Sequence, residues 1–136
     1  MTLLFAYGSN LASAEMKAWC PNHRFIGVAR LDGFRLEFRR RSRRWGGGAA
    51  DIVRAPSESV AGALYEVPDG ELERLDAKEG VGFAYRRREV QVEHGGRVVA
   101  ADAYEVVDKE PEQVAPTPEY LELLRSGARE RGLPEV

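Results

Sequence analysis

Two kinds of hydrophobic spacing alternate along the chain, and the switches between them mark its elements. Leu3, Leu4, Phe5 and Ala6 form a short apolar run of the kind a buried strand shows. Gly8-Ser9-Asn10 then supply turn residues before an amphipathic stretch around Met16, Ala18 and Trp19. Val90 and Val92 alternate with Glu89, Gln91 and Glu93, the period of a half-buried strand, whereas Arg97 to Val107 is apolar on both parities, as in a strand covered on both faces. These patterns predict strands near 2–6, 24–31, 34–39, 49–54, 60–67, 85–93 and 97–107, and helices near 11–19, 69–79 and 118–131. Gly95-Gly96 reads as a hairpin turn and Gly132 before Pro134 as a helix stop. No repeat, linker or composition break divides the chain, so residues 1–136 are expected to form one α+β domain.

Within the second predicted helix a carboxylate stands where core is expected. Asp69 is placed to cap a helix after Pro68, and Leu72, Leu75, Asp76 and Glu79 then share one stripe at i, i+3, i+4 and i+7. The inward stripe therefore ends in two carboxyls. Gly80 and Gly82 stop the helix, which leaves Glu79 in the last turn, beside the negative end of the helix dipole and short of water. A carboxyl so placed is suited to take a proton and return it, as general acid/base catalysis requires. Spacing equally allows Glu79 to tip into solvent or to pair with Arg86, Arg87 or Arg88.

The strand, turn and helix start of residues 2–11 form a second candidate. Such a junction points successive backbone N–H groups into one concavity, which can hold a carboxylate or an oxyanion. A plain turn capped by Ser9 or Asn10 satisfies the same pattern. Tyr85 opens a strand on the parity opposite to Val90 and Val92, Tyr104 lies in the doubly apolar run, and Tyr120 follows a Thr117 cap and Pro118 on a face with Leu121, Leu124 and Ala128. On pattern alone, all three tyrosines read as packing.

Composition narrows the class. The 136 residues are 43% hydrophobic, enough to bury roughly two thirds of the surface of the unfolded chain, and no apolar run is long enough to span a membrane. The start lacks the basic residues and apolar core of a signal peptide, so a soluble, cytoplasmic protein is expected, without a membrane partner. Cys20 is the only cysteine, which excludes an internal disulfide, and it reads as a small buried hydrophobe. His23 and His94 are far apart and no Cys/His cluster has metal-ligand spacing, so no metal is expected. Net charge is −2, yet five of the six residues from Arg39 to Arg44 are arginine, near Phe34, Phe38 and Trp45. The aromatics do not recur as in an RNA-binding motif and acid balances the rest of the chain. A solvated loop, able to overhang a site, fits better than a nucleic-acid surface.

Five segments, in order, resemble the γ-glutamylcyclotransferase family: Tyr7-Gly8-Ser9-Asn10-Leu11; Trp45 with Gly46-Gly47-Gly48; Val60-Ala61-Gly62-Ala63-Leu64-Tyr65; Leu75-Asp76-Ala77-Lys78-Glu79-Gly80-Val81; and Pro116 to Tyr120 with Gly127-Ala128 and Gly132-Leu133-Pro134. The likeness runs over nearly the whole chain. It implies a small, mixed and mainly antiparallel β-barrel with helices packed outside. It also implies cyclisation of a γ-glutamyl group to 5-oxoproline without a cofactor, with Glu79 as the acid/base. Tyr7, Gly8, Ser9, Asn10 and Leu11 would bind the γ-glutamyl group, Tyr85, Tyr104 and Tyr120 would line the pocket, and a homodimer is the assembly the family suggests. The partner implied is a small-molecule γ-glutamyl substrate, either an amino acid or an amine derivative. Arg39 to Arg44, Arg86 to Arg88 and Asp51 lie outside the resemblance, and the end of the chain at Val136, close after Leu133-Pro134, implies a more open site. Two other functions use the same residues: a γ-glutamyl binding module without turnover, and an amide hydrolase with Ser9 or Cys20 as nucleophile.

Overall fold

A computed structural model describes residues 1–134. Five strands close into a barrel in the order β1-β3-β2-β4-β5. In chain order they are β1 (Thr2–Ala6), β2 (Arg24–Ser42), β3 (Gly47–Val67), β4 (Tyr85–His94) and β5 (Arg97–Val106), with helices α1 (Ser13–Trp19), α2 (Asp69–Glu79) and α3 (Pro118–Arg131). This is the mixed, mainly antiparallel barrel with outer helices that the sequence led us to expect. β1 pairs antiparallel with β3 and parallel with β5, through Leu4 and Asp102, and a single step between Arg30 and Glu93 joins β2 to β4.

Alternation along β1 explains its short apolar run. Phe5 packs with Leu31, Ile52, Leu64, Val92 and Leu124 in one core cluster, while Leu4 and Ala6 pack with Met16, Tyr65, Leu72 and Leu75 in another. Both faces of β1 are covered from Leu4 to Ala6, and no polar residue stands there.

The structure differs from the sequence pattern in three places. The four short strands expected over 24–39 and 49–67 are two long ones, bent by a bulge where pairing steps from Asp32 opposite Ser59 to Phe34 opposite Arg54. Gly33, at φ +83°, turns the chain there, and Pro56 falls in the stretch of β3 that the step leaves out of the ladder, where its missing N–H is not needed. The helix expected over 11–19 is a 3₁₀ turn, Ser9–Leu11, and then α1, separated by extended Ala12. Asp69 does not cap α2; Pro68 holds that position and Asp69 instead meets the N-terminal amine at 3.3 Å and Thr2 at 3.2 Å. The Gly95-Gly96 hairpin, the Thr117 cap on Tyr120 N and the left-handed Gly132 stop of α3 stand as the sequence suggested.

Candidate active site

The turn after β1 is built as a rigid shelf. The Leu11 N–H donates to Gly8 O and the Ala12 N–H to Ser9 O, closing the 3₁₀ turn, while among the described residues the N–H groups of Gly8, Ser9 and Asn10 meet no protein acceptor. The carbonyls are tied from behind: Tyr65 Oη donates to Asn10 O at 2.8 Å, and Arg131 reaches Leu11 O at 3.2 Å and Tyr65 Oη at 3.0 Å. α3 can lie this close because Gly127 has no side chain; a Cβ there would stand 2.8 Å from both Ala12 N and Leu11 Cβ. The shelf therefore keeps free donors on one side and satisfied acceptors on the other.

α2 delivers the acid to that shelf. Gly80, left-handed at φ +66°, ends the helix, its N–H bonding to Ala77 O and that of Val81 to Asp76 O. Glu79 is thereby the last helical residue, and its Oε1 accepts from Asn10 Nδ2 at 2.9 Å. Lys78 adds a cation that the sequence reading missed. Its side chain is only 4% exposed, and Nζ lies 3.0 Å from Asn10 Oδ1, 3.3 Å from Glu79 Oε1 and 3.5 Å from Ser9 Oγ. Asn10 thus presents its amide N–H to the carboxylate and its carbonyl to the ammonium, an orientation that satisfies both partners at once. The other carboxyl of the stripe diverges: Asp76 Oδ1 accepts from Tyr104 Oη at 2.7 Å and lies 3.1 Å from Arg87 Nε. Among the arginines that the sequence offered as partners for Glu79, Arg87 pairs with Asp76 and Asp102, and Arg86 and Arg88 with Glu105.

A cavity opens between shelf and helix end, lined by Tyr7, Gly8, Ser9, Asn10, Glu79, Tyr85, Tyr104 and Tyr120, with Ala50, Leu4, Phe5 and Ala6 completing the wall. Of the residues that the resemblance assigns to the site, Leu11 alone is not on this wall; it is a buried core residue whose backbone carbonyl is held by Arg131. Ala50 carries no chemistry in its side chain, yet its peptide holds two of the tyrosines: its N–H donates to Tyr120 Oη and its carbonyl accepts from Tyr85 Oη, each at 2.8 Å. Tyr7 Oη donates to Tyr104 O. Burial pushes the ionisation of Tyr7, Tyr85, Tyr104 and Tyr120 upward, and at Tyr104 the bond to Asp76 adds to it. The tyrosines therefore stay neutral, and among the described residues Glu79 is the only carboxyl on the cavity wall.

The nucleophiles suggested for a hydrolase are poorly served. Cys20 is fully buried in the second core cluster, off the cavity wall, with its thiol pushed up to about 11, first by burial and then by Glu71. Ser9 Oγ has a lysine for a neighbour, and neither histidine lines the cavity. Among the described residues no three His, Cys, Asp or Glu side chains gather as a metal site.

The family whose description reads gamma-glutamyl cyclotransferase, AIG2-like, matches residues 4–122. The chain belongs to this family. It is 36% identical to a gamma-glutamylcyclotransferase of Bos taurus and 35% to one of Homo sapiens, in each case over 97% of this chain and 72% of the relative. A solved gamma-glutamyl cyclotransferase superposes with a TM-score of 0.91 at 34% identity, covering 98% of this chain and 81% of the other. Within this family fold, the arginine run departs from the solvated loop expected of it. Arg39, Arg40 and Arg41 are residues of β2, and Arg39 turns to Glu37 at 2.5 Å and Glu110 O at 3.2 Å. The rest border an outer cleft that shares Ser9, Glu79, Tyr85 and Tyr120 with the inner cavity.

Proposed function

We propose that the protein cyclises the γ-glutamyl group of a γ-glutamyl amino acid or amine to 5-oxoproline and releases the free amine, with Glu79 as acid/base. The observation that carries this reading is the 2.9 Å contact between Asn10 and Glu79, which sets the carboxyl of the cavity wall against the shelf of free N–H donors.

The substrate holds its own nucleophile, an α-amine a few bonds from the γ-carbonyl. Glu79 takes a proton from the α-ammonium; the amine attacks the carbonyl carbon and closes a five-membered ring, placing negative charge on the carbonyl oxygen. Glu79 hands that proton to the leaving nitrogen as the C–N bond breaks, then takes the second proton from the ring nitrogen and passes it to the departing amine, which leaves as the ammonium and restores the carboxylate. Intramolecular attack removes much of the entropic barrier. The N–H groups of Gly8, Ser9 and Asn10 are the donors for the substrate carboxylate and the oxyanion, each well-placed oxyanion donor contributing about 3 kcal/mol. Neutral Tyr7, Tyr85, Tyr104 and Tyr120 form the polar walls that orient the glutamyl chain, and Ser9 binds rather than attacks. The chemistry consumes no water and asks for no cofactor.

The reading carries with it a cytoplasmic setting, no nucleic-acid or membrane partner, and a homodimer as the assembly to test by light scattering. The decisive experiment incubates the protein and its Glu79→Gln variant with γ-glutamyl amino acids and amines, assaying 5-oxoproline and glutamate. Release of 5-oxoproline that the variant loses supports the reaction and its base. Free glutamate would replace it with hydrolysis, and ligand binding without either product would replace it with a binding module.

A further inference from the structure

The outer cleft differs in charge from the rest of the protein. Acids outnumber bases by two over the whole chain, yet among the described residues five side chains on the cleft wall are cationic, Arg40, Arg41, Arg43, Arg44 and Lys78, against one acid, Glu79. Two of the five are engaged. Lys78 serves Glu79 and Asn10, and Arg44 meets Glu15 at 3.2 Å while stacking over Trp45 at 4.6 Å. Among the described residues Arg40, Arg41 and Arg43 have no acidic partner within 4.0 Å. Arg40 lies over the ring of Tyr85 at 5.9 Å, on the boundary where cavity and cleft join. Unpaired guanidinium groups around a concave surface are a site for carboxylate.

Position gives the charge its meaning. If the glutamyl group fills the inner cavity with its γ-carbonyl at Glu79, the part of the substrate beyond the amide must lie in the adjoining cleft, because Ser9, Glu79, Tyr85 and Tyr120 are common to both. We infer that Arg40, Arg41 and Arg43 select γ-glutamyl amides whose released amine is anionic, most of all those carrying two carboxylates, such as γ-glutamyl-glutamate. This inference rests on the cyclotransferase reading and names its substrate class. Neutral γ-glutamylamines leave the three arginines unanswered and are poor substrates.

The test is a charge ladder at nearly constant shape: γ-glutamyl-glutamate, γ-glutamyl-glutamine and γ-glutamyl-glutamine amide, whose released parts carry two, one and no carboxylates. The expected kcat/KM falls about tenfold at each removal in low salt. The steps shrink in 0.5 M salt, as screening of partly exposed charges requires, and they shrink in the Arg40→Gln/Arg43→Gln double variant. A flat ladder with 5-oxoproline released from all three overturns the inference and leaves the cyclotransferase reading intact. Should none release 5-oxoproline, that reading fails; calorimetric titration of the same ladder then decides the charge preference on its own, graded affinity upholding it and equal affinity sinking it.

Discussion

Asn10 and Glu79, 69 residues apart, meet at 2.9 Å, and Lys78 closes the triangle at 3.0 Å from Asn10 and 3.3 Å from Glu79. The contact couples the strand-turn shelf to the end of α2. Replacing Asn10 with alanine removes the Glu79 donor and the Lys78 acceptor together, and leaves a buried charge pair less well solvated by the protein. A fall in kcat/KM of roughly tenfold to a hundredfold is expected, as for loss of a hydrogen bond to a charged group. Unchanged kinetics in a folded Asn10→Ala protein would separate the shelf from the chemistry.

Lys78→Gln tests the same triangle from its other corner. With its side chain 4% exposed, Lys78 is a buried cation held by an acid and an amide, and glutamine keeps reach while removing charge. Activity should fall. The loss combined with Asn10→Ala should be smaller than the product of the single losses, because both changes break one network. Multiplicative losses in that double-mutant cycle would mean that the two residues act independently.

Gly127 sets how closely α3 backs the shelf. A Cβ at 2.8 Å from Ala12 N and Leu11 Cβ meets backbone and core rather than a flexible side-chain end, so the helix or the shelf must shift. Gly127→Ala should cost about 1–3 kcal/mol despite the better helix propensity of alanine. The midpoint in urea reads the cost, and kcat/KM should fall with it because the shifted shelf is the proposed binding surface.

Cys20 offers a prediction in pH. Burial holds its folded thiol at about 11 against the ordinary 9.0, so the unfolded chain loses that proton first. The folded state binds the proton more strongly; stability from this group is complete below pH 9 and declines as pH rises from 9 to 11, by about 1.4 kcal/mol per unit at most. The difference in stability between wild type and Cys20→Ala should change across that window and be flat below it. Iodoacetamide at pH 8 should label Cys20 slowly in the native protein and rapidly in urea, without loss of activity during the slow phase.

Sequence and structure agree where the interactions are local. The order strand, turn, helix start at residues 2–19, the Gly95-Gly96 hairpin and the Thr117 and Gly132 ends of α3 follow from spacing and from residues whose backbone preferences act at short range. Long strands were misread as short ones because Gly33 and Pro56 carry turn signals, and only pairing across β2 and β3 turns those signals into a bulge. Tyr85, Tyr104 and Tyr120 read as packing from pattern, and they are buried; their hydroxyls find Ala50 and Asp76 only because β3, α2 and α3 converge there.

By itself, then, the sequence determined the order of strand and helix segments, the stripe that ends in Glu79 and the glycine-bearing turn opposite it, because period, cap and turn chemistry act over a few residues. The tertiary structure decided which carboxyl of the stripe faces the cavity, that Lys78 is buried rather than solvated, that the peptide of Ala50 anchors two tyrosines, and that the arginine run divides between a Glu37 pair and an open cleft. Each of these depends on what faces a side chain across the closed barrel, where β1 lies between β3 and β5 and carries residue 10 to the end of α2. Charge pairing and burial at such distances in sequence leave no periodic trace along the chain.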